Sequence, residues 1–141
     1  MDTYPTNKII SELKKSLDKI KPSLIFSPYE HDIHSDHQII SKCLKSCVKT
    51  FRSNYVNKVL FYEVLSETNF NFDNSFKPNY YINISSFIKQ KIKNAKIFKG
   101  EIKKHPFPRS IESIRSLAII RGSESGYNYA EAFKIYFERS D

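Results

Sequence analysis

Between Thr6 and Ile20 apolar side chains return every three or four residues (Ile9, Ile10, Leu13, Leu17, Ile20), with lysines and acids between them. Immediately afterwards the period changes. Ser23-Leu24-Ile25-Phe26-Ser27 is a short, nearly continuous apolar run enclosed by Pro22 and Pro28. The first pattern is that of an amphipathic helix and the second that of a buried strand. Thr6 is the expected N-cap, and Pro22 closes the helix.

The alternation continues along the chain. His37 to Phe51 reads as helix, and Val59 to Leu65 as a second strand. Asn69 to Lys77 is a polar and aromatic loop, and Tyr80 to Ile84 a third strand. Ser85 or Ser86 can cap a helix toward Lys99, Ile111 to Ile120 is another, and Tyr129 to Phe137 is read as a closing helix. Helices alternating with short strands predict an α/β, Rossmann-like layered fold with a mostly parallel sheet. In such sheets ligands sit beyond the carboxyl ends of the strands.

At 141 residues, 40% hydrophobic and 27% charged, the chain has the make-up of one globular domain or part of one. The net charge of +8 raises the possibility of nucleic acid. The lysines are spread over the whole sequence rather than gathered in one arm, so nucleic acid is not the expected partner. Cys43 and Cys47 are four apart on a helical stretch. That spacing puts them on one face without favouring a disulfide, as for small buried thiols in a reducing compartment. The opening Met1-Asp2-Thr3-Tyr4-Pro5 has no basic segment followed by an apolar run, and no stretch is apolar enough to span a membrane. The expected location is the cytoplasm.

Chemistry concentrates in Glu30-His31-Asp32-Ile33-His34-Ser35-Asp36-His37, which holds three of the four histidines and follows a predicted strand. Imidazole nitrogen and carboxylate oxygen are the usual zinc ligands besides thiolate, and a neighbouring carboxylate can fix the tautomer of a ligating histidine. The spacing matches neither a His-Glu-x-x-His helix nor a cysteine finger. An exposed polar loop with capping histidines is the alternative reading of the same residues.

Asp32-Ile33-His34-Ser35-Asp36-His37, placed after a strand and before a helix, resembles the second metal motif of the PIG-L (LmbE-like) zinc-dependent N-deacetylases. Phe76-Lys77-Pro78-Asn79, His105-Pro106-Phe107-Pro108-Arg109-Ser110, Arg121-Gly122-Ser123 and Ala130-Glu131-Ala132-Phe133 continue the resemblance collinearly from about residue 2 to residue 137. It implies removal of an acetyl group from an N-acetylated, N-acetylglucosamine-type sugar with Zn as cofactor. By the resemblance, His37 is a metal ligand, and His34 is catalytic, stabilising the oxyanion or protonating the leaving amine. Asp36 is grouped with the catalytic residues, orienting a neighbouring histidine. Asp32 and Arg109 are expected to bind substrate.

The family's other two ligands and its general base lie in a His-Pro-Asp-Asp-Glu motif, and this sequence contains none. Met1-Asp2 stands where the family has an internal Met-Asp pair. Residues 1–141 are therefore expected to be a single partial domain, the C-terminal part of a deacetylase-like domain. Its fold should be incomplete at the N-terminal side, and one side of its sheet should expose apolar surface. The upstream DNA is expected to encode the absent motif, and that segment is the expected partner in trans. The alternative is a catalytically inactive half-protein or assembly module that needs the upstream segment. A basic nucleic-acid-binding protein is the third class.

Overall fold

The computed structural model describes residues 4–140, so the Met1-Asp2 pair lies outside the described residues. The chain is a mixed α/β protein, and its elements follow in the order α1 (Thr6–Ile20), β1 (Leu24–Pro28), α2 (Ser35–Cys47), β2 (Lys58–Tyr62), a 3-10 turn (Thr68–Phe70), β3 (Tyr80–Asn83), α3 (Ile88–Ala95), α4 (Ile111–Ser125) and β4 (Ala130–Glu138). The strands form one sheet in the order β1-β2-β4-β3. β1 and β2 are parallel, with Leu24 opposite Lys58 and Pro28 opposite Tyr62. β3 and β4 are antiparallel, with Tyr80 opposite Phe133. No helix among the described residues is long and apolar enough to cross a membrane.

Two compact units make up the chain. The first holds the described residues up to Lys77 and those from Lys134 onward. Its core is Leu17 from α1, Leu44, Cys47 and Val48 at the end of α2, and Val56 and Val59 entering β2. The amphipathic stripe of α1 explains this packing, because Ile10, Leu13 and Leu17 all meet the same cluster. Cys43 and Cys47 are fully buried free thiols. β1 stands at one end of the strand order and leaves Leu24 and Phe26, on one face, 42% and 46% exposed.

The second unit, Pro78–Phe133, packs Ile84, Ile88 and Ile92 against Ala118. Ser110 caps α4, its Oγ accepting from the Ser113 N–H at 3.1 Å. Gly126 ends that helix in the left-handed region at φ 77°, which glycine adopts without a Cβ penalty.

Several elements differ from the sequence expectation. Pro5, not Thr6, caps α1, its carbonyl accepting from Lys8 N at 2.9 Å. α2 begins two residues before His37 because His34 caps it. It ends at Cys47, where the Ser53 hydroxyl donates to the Cys47 carbonyl at 2.9 Å and turns the chain away. α4 runs on through Gly122 to Ser125. The largest difference is the tail from Tyr129 to Phe137, whose main part is strand β4 and not a helix. Ala130 to Ala132 favour helix, but Phe133, Ile135, Tyr136 and Phe137 are aromatic or β-branched and fit a pleated surface.

Candidate metal and catalytic site

The histidine segment leaves the carboxyl end of β1 and enters the first turn of α2. Three contacts anchor this crossing. Tyr29 N extends the ladder to the Tyr62 carbonyl at 3.1 Å. The buried Ser41 hydroxyl donates to the Pro28 carbonyl at 2.7 Å, tying α2 to the end of the strand. Tyr29 itself is buried edge-on against Phe61 and Phe76.

His34 is the N-cap of α2. Its carbonyl accepts from His37 N and Gln38 N at 3.0 and 3.2 Å, and its ring Nδ1 accepts from Asp36 N at 3.2 Å. A ring nitrogen that accepts carries no proton, so the neutral His34 imidazole holds its hydrogen on Nε2 and presents a donor there.

His37 is set the other way. Its Nδ1 lies 2.8 Å from Asp32 Oδ2. Asp32 is 0% exposed, and its other oxygen accepts from the Thr68 hydroxyl at 2.5 Å. Thr68 Oγ1 in turn accepts from Val64 N at 2.6 Å, so its own hydrogen is directed to Asp32. The carboxylate thus takes the Nδ1 hydrogen of His37 and leaves a lone pair on Nε2. This is how a carboxylate behind a ligating histidine sets its tautomer. The His37 side chain is 26% exposed, so it remains accessible. The two rings lie nearly parallel, with centroids 4.8 Å apart and planes 19° from each other.

Burial pushes the Asp32 carboxyl above the usual carboxylate range, and the Thr68 and His37 hydrogen bonds pull it back. Tyr29 is raised as well, first by burial and then by the charges of Glu30 and Asp32.

The structure brings Asp32, His34, Asp36 and His37 together where β1 crosses into α2. Asp32, expected to touch substrate, has no exposed surface, and both its oxygens are engaged. Its Oδ2 is the partner of His37 Nδ1, while His34 is met by the Asp36 backbone. Asp36 is half-buried in the first turn of α2, and its backbone N–H holds His34. His31 turns toward Tyr29, 5.2 Å away in an edge contact. Arg109 belongs to the second unit, where it pairs with Glu101 at 3.0 Å and lies over the Phe107 ring.

Sequence reasoning misses Thr68, and no local signal marks it, because its partner is 36 residues away. It misses Gln38 too, whose Nε2 donates to the Asp32 carbonyl at 2.6 Å. Among the described residues no group of three or more His, Cys, Asp or Glu side chains is arranged to hold a metal ion. The donor chemistry of His37 fits one zinc ligand.

No protein-family model matches the sequence. The fold is similar to that of the conserved protein TT1542 from Thermus thermophilus, with a TM-score of 0.74 and 20% identity over 99% of this chain and 62% of that one. It is similar to N,N'-diacetylchitobiose deacetylase from Pyrococcus horikoshii, with a TM-score of 0.69 and 19% identity over 94% of this chain and 53% of that one. GalB, the 4-carboxy-2-hydroxymuconate hydratase from Pseudomonas putida, gives a TM-score of 0.70 and 16% identity over 98% of this chain and 62% of that one. These likenesses show a shared fold. The chain spans 53% to 62% of the length of the solved chains it matches.

Proposed function

We propose that this chain carries one half of the active site of a zinc-dependent N-deacetylase of the PIG-L (LmbE-like) type, acting on an N-acetylated amino sugar. The observation that carries the reading is the opposite setting of two stacked imidazoles. His37 offers a lone pair backed by a buried carboxylate, and His34 offers an N–H. A metal hydrolase needs both, one to hold the ion and one to meet charge developing on the substrate.

In this reading His37 Nε2 would hold the zinc, and Asp32 with Thr68 fixes the angle of that ring. Zinc held there would supply Lewis acidity toward the amide carbonyl. His34 would donate a hydrogen bond from Nε2 to the amide oxygen as it gains charge. The Asp36 backbone holds His34 in that posture. Arg109, engaged by Glu101 and Phe107, has no assigned role.

Catalytic zinc takes three protein ligands as a rule. Two further ligands and the general base come, in this proposal, from a segment bearing His-Pro-Asp-Asp-Glu, joined to this chain or supplied in trans. The lengths of the matched solved chains and the exposed Leu24 and Phe26 on β1 support such an addition. The likeness to a deacetylase fold supports the reaction class, while the likeness to a hydratase shows that the fold alone does not fix it. Buried free thiols agree with a reducing compartment such as the cytoplasm.

A second reading is a catalytically inactive binding or assembly module, which fits the same single-ligand arrangement among the described residues. The test is amine release from an N-acetylglucosamine derivative with zinc, using the 141 residues alone and with the His-Pro-Asp-Asp-Glu segment fused or added. Activity only with the segment is expected. Strong activity from the chain alone overturns the divided site. Tight association of the segment without amine release supports the module.

A further inference from the structure

Two phenylalanines stand in water on the segment that holds the site's buried acid. Phe72 is 87% exposed and Phe70 42%. Their ring centroids are 6.3 Å apart with planes at 70°, so they meet edge to face in an exposed corner.

Scattered exposed aromatics are ordinary, but this pair is held in place. Thr68, which opens the turn, donates to Asp32. Asn71, between the two rings in sequence, donates through Nδ2 to the His31 carbonyl. Its Oδ1 accepts from Asp73 N and Asn74 N at 3.2 and 3.0 Å. Ahead of the turn, Ser66 N donates to Asn69 Oδ1 at 2.8 Å. Side-chain hydrogen bonds therefore fix the backbone on both sides of Phe70. One 3-10 turn, rising about 2 Å per residue, separates Phe70 from Thr68. Two further hydrogen bonds lead from Thr68 through Asp32 to His37. The corner is built on the scaffold that sets the ligand histidine.

We propose that Phe70 and Phe72 form a stacking subsite for a pyranose ring of the substrate, beside the acetamido group that reacts. This deepens the deacetylase reading and rests on it. A pyranose has an apolar C–H face and a polar rim. The rings suit the face, and the exposed Asn69, Asp73 and Asn74 supply donors and acceptors for the rim. A backbone fixed in advance leaves only the two ring rotamers to be ordered on binding.

The test follows the phenylalanine ring signals by NMR as the full chain is titrated with N,N'-diacetylchitobiose and, separately, with the His-Pro-Asp-Asp-Glu segment. The proposal expects the disaccharide to shift the Phe70 and Phe72 signals. Phe72→Ala should weaken its binding about threefold to tenfold, and Phe72→Tyr should preserve it. In the completed protein Phe72→Ala should raise KM for the sugar by a similar factor. Rings that respond to the segment and not to the sugar overturn the subsite, as does an unchanged affinity in Phe72→Ala. Deacetylation with an unaltered KM in Phe72→Ala sinks the subsite and leaves the deacetylase reading standing. Sugar binding at the rings without amine release in the completed protein removes the catalytic reading and keeps the subsite.

Discussion

His34 and His37 stack with ring centroids 4.8 Å apart, yet their Nδ1 atoms face opposite partners, a backbone N–H for His34 and a buried carboxylate for His37. Neighbouring imidazoles of like shape thereby acquire different chemistry. In the completed protein, His37→Ala should abolish zinc retention. His34→Ala should keep the metal and lower kcat about a hundredfold or more, the usual cost of losing an oxyanion donor. Metal content and turnover, measured on the same preparations, check both outcomes.

Thr68 bridges Val64 N and Asp32, so in the proposed site it would act on the metal only through Asp32 and His37. Thr68→Val keeps the shape and removes the donated hydrogen. Zinc affinity of the completed protein should fall roughly tenfold to a hundredfold, as for other changes behind a ligating histidine. Thr68→Ser should restore it. Chelator competition measures the affinity, and an unchanged value in Thr68→Val would detach Thr68 from the site.

Much of this arrangement is legible in the sequence, for a physical reason. α1 has a clean helical period, and its bounds are those the period predicts. The Pro-bounded run marks β1, and ligand placement beyond a strand's carboxyl end locates the histidines. What escapes depends on distant partners. Nothing near Thr68 marks it as the partner of Asp32, and nothing near Asp32 marks it as buried and bonded to His37. β4 is hidden because Ala130, Glu131 and Ala132 favour a helix locally, while Ala132 and Phe133 are both buried, which blurs the two-residue alternation. His34 is a less usual cap than Ser or Asp, so the sequence pattern places the start of α2 late.

Gly122 sits inside α4, where an added Cβ would meet Tyr127 O at 2.5 Å and Asn128 O at 2.9 Å. Both are backbone atoms and cannot step aside as a side-chain end would. Gly122→Ala should cost about 3 kcal/mol through overpacking. Gly126 has open space but a φ of 77°, so Gly126→Ala should cost less, about 1–2 kcal/mol. Urea unfolding of the two variants checks the order, and equal losses would contradict it.

Burial raises Cys43, Cys47, Tyr29 and Tyr62 above their ordinary values. A raised acid binds its proton more tightly in the folded chain, so its contribution to stability is complete below the unfolded pKa. That contribution is lost as pH rises through the folded value. The urea midpoint should show no loss from these four groups between pH 7 and about pH 8, below the free thiol range, and then decline above about pH 9. The double variant Cys43→Ala, Cys47→Ala should decline less steeply. A wild-type midpoint that stays flat through about pH 11 would contradict the assignment of these four groups as neutral and shielded from water.

The opposite tautomers of His34 and His37 can be read directly from ring nitrogen shifts in long-range 15N–1H NMR, at a pH where both imidazoles are neutral. The result expected is a proton on Nδ1 of His37, bonded to Asp32, and a proton on Nε2 of His34, with Asp36 N donating to its Nδ1. Asp32→Ala should release His37 from that tautomer and leave His34 as it was. Protonation of both rings on Nε2 in the unaltered chain would contradict the account, because His37 would then present no lone pair at Nε2 for a metal.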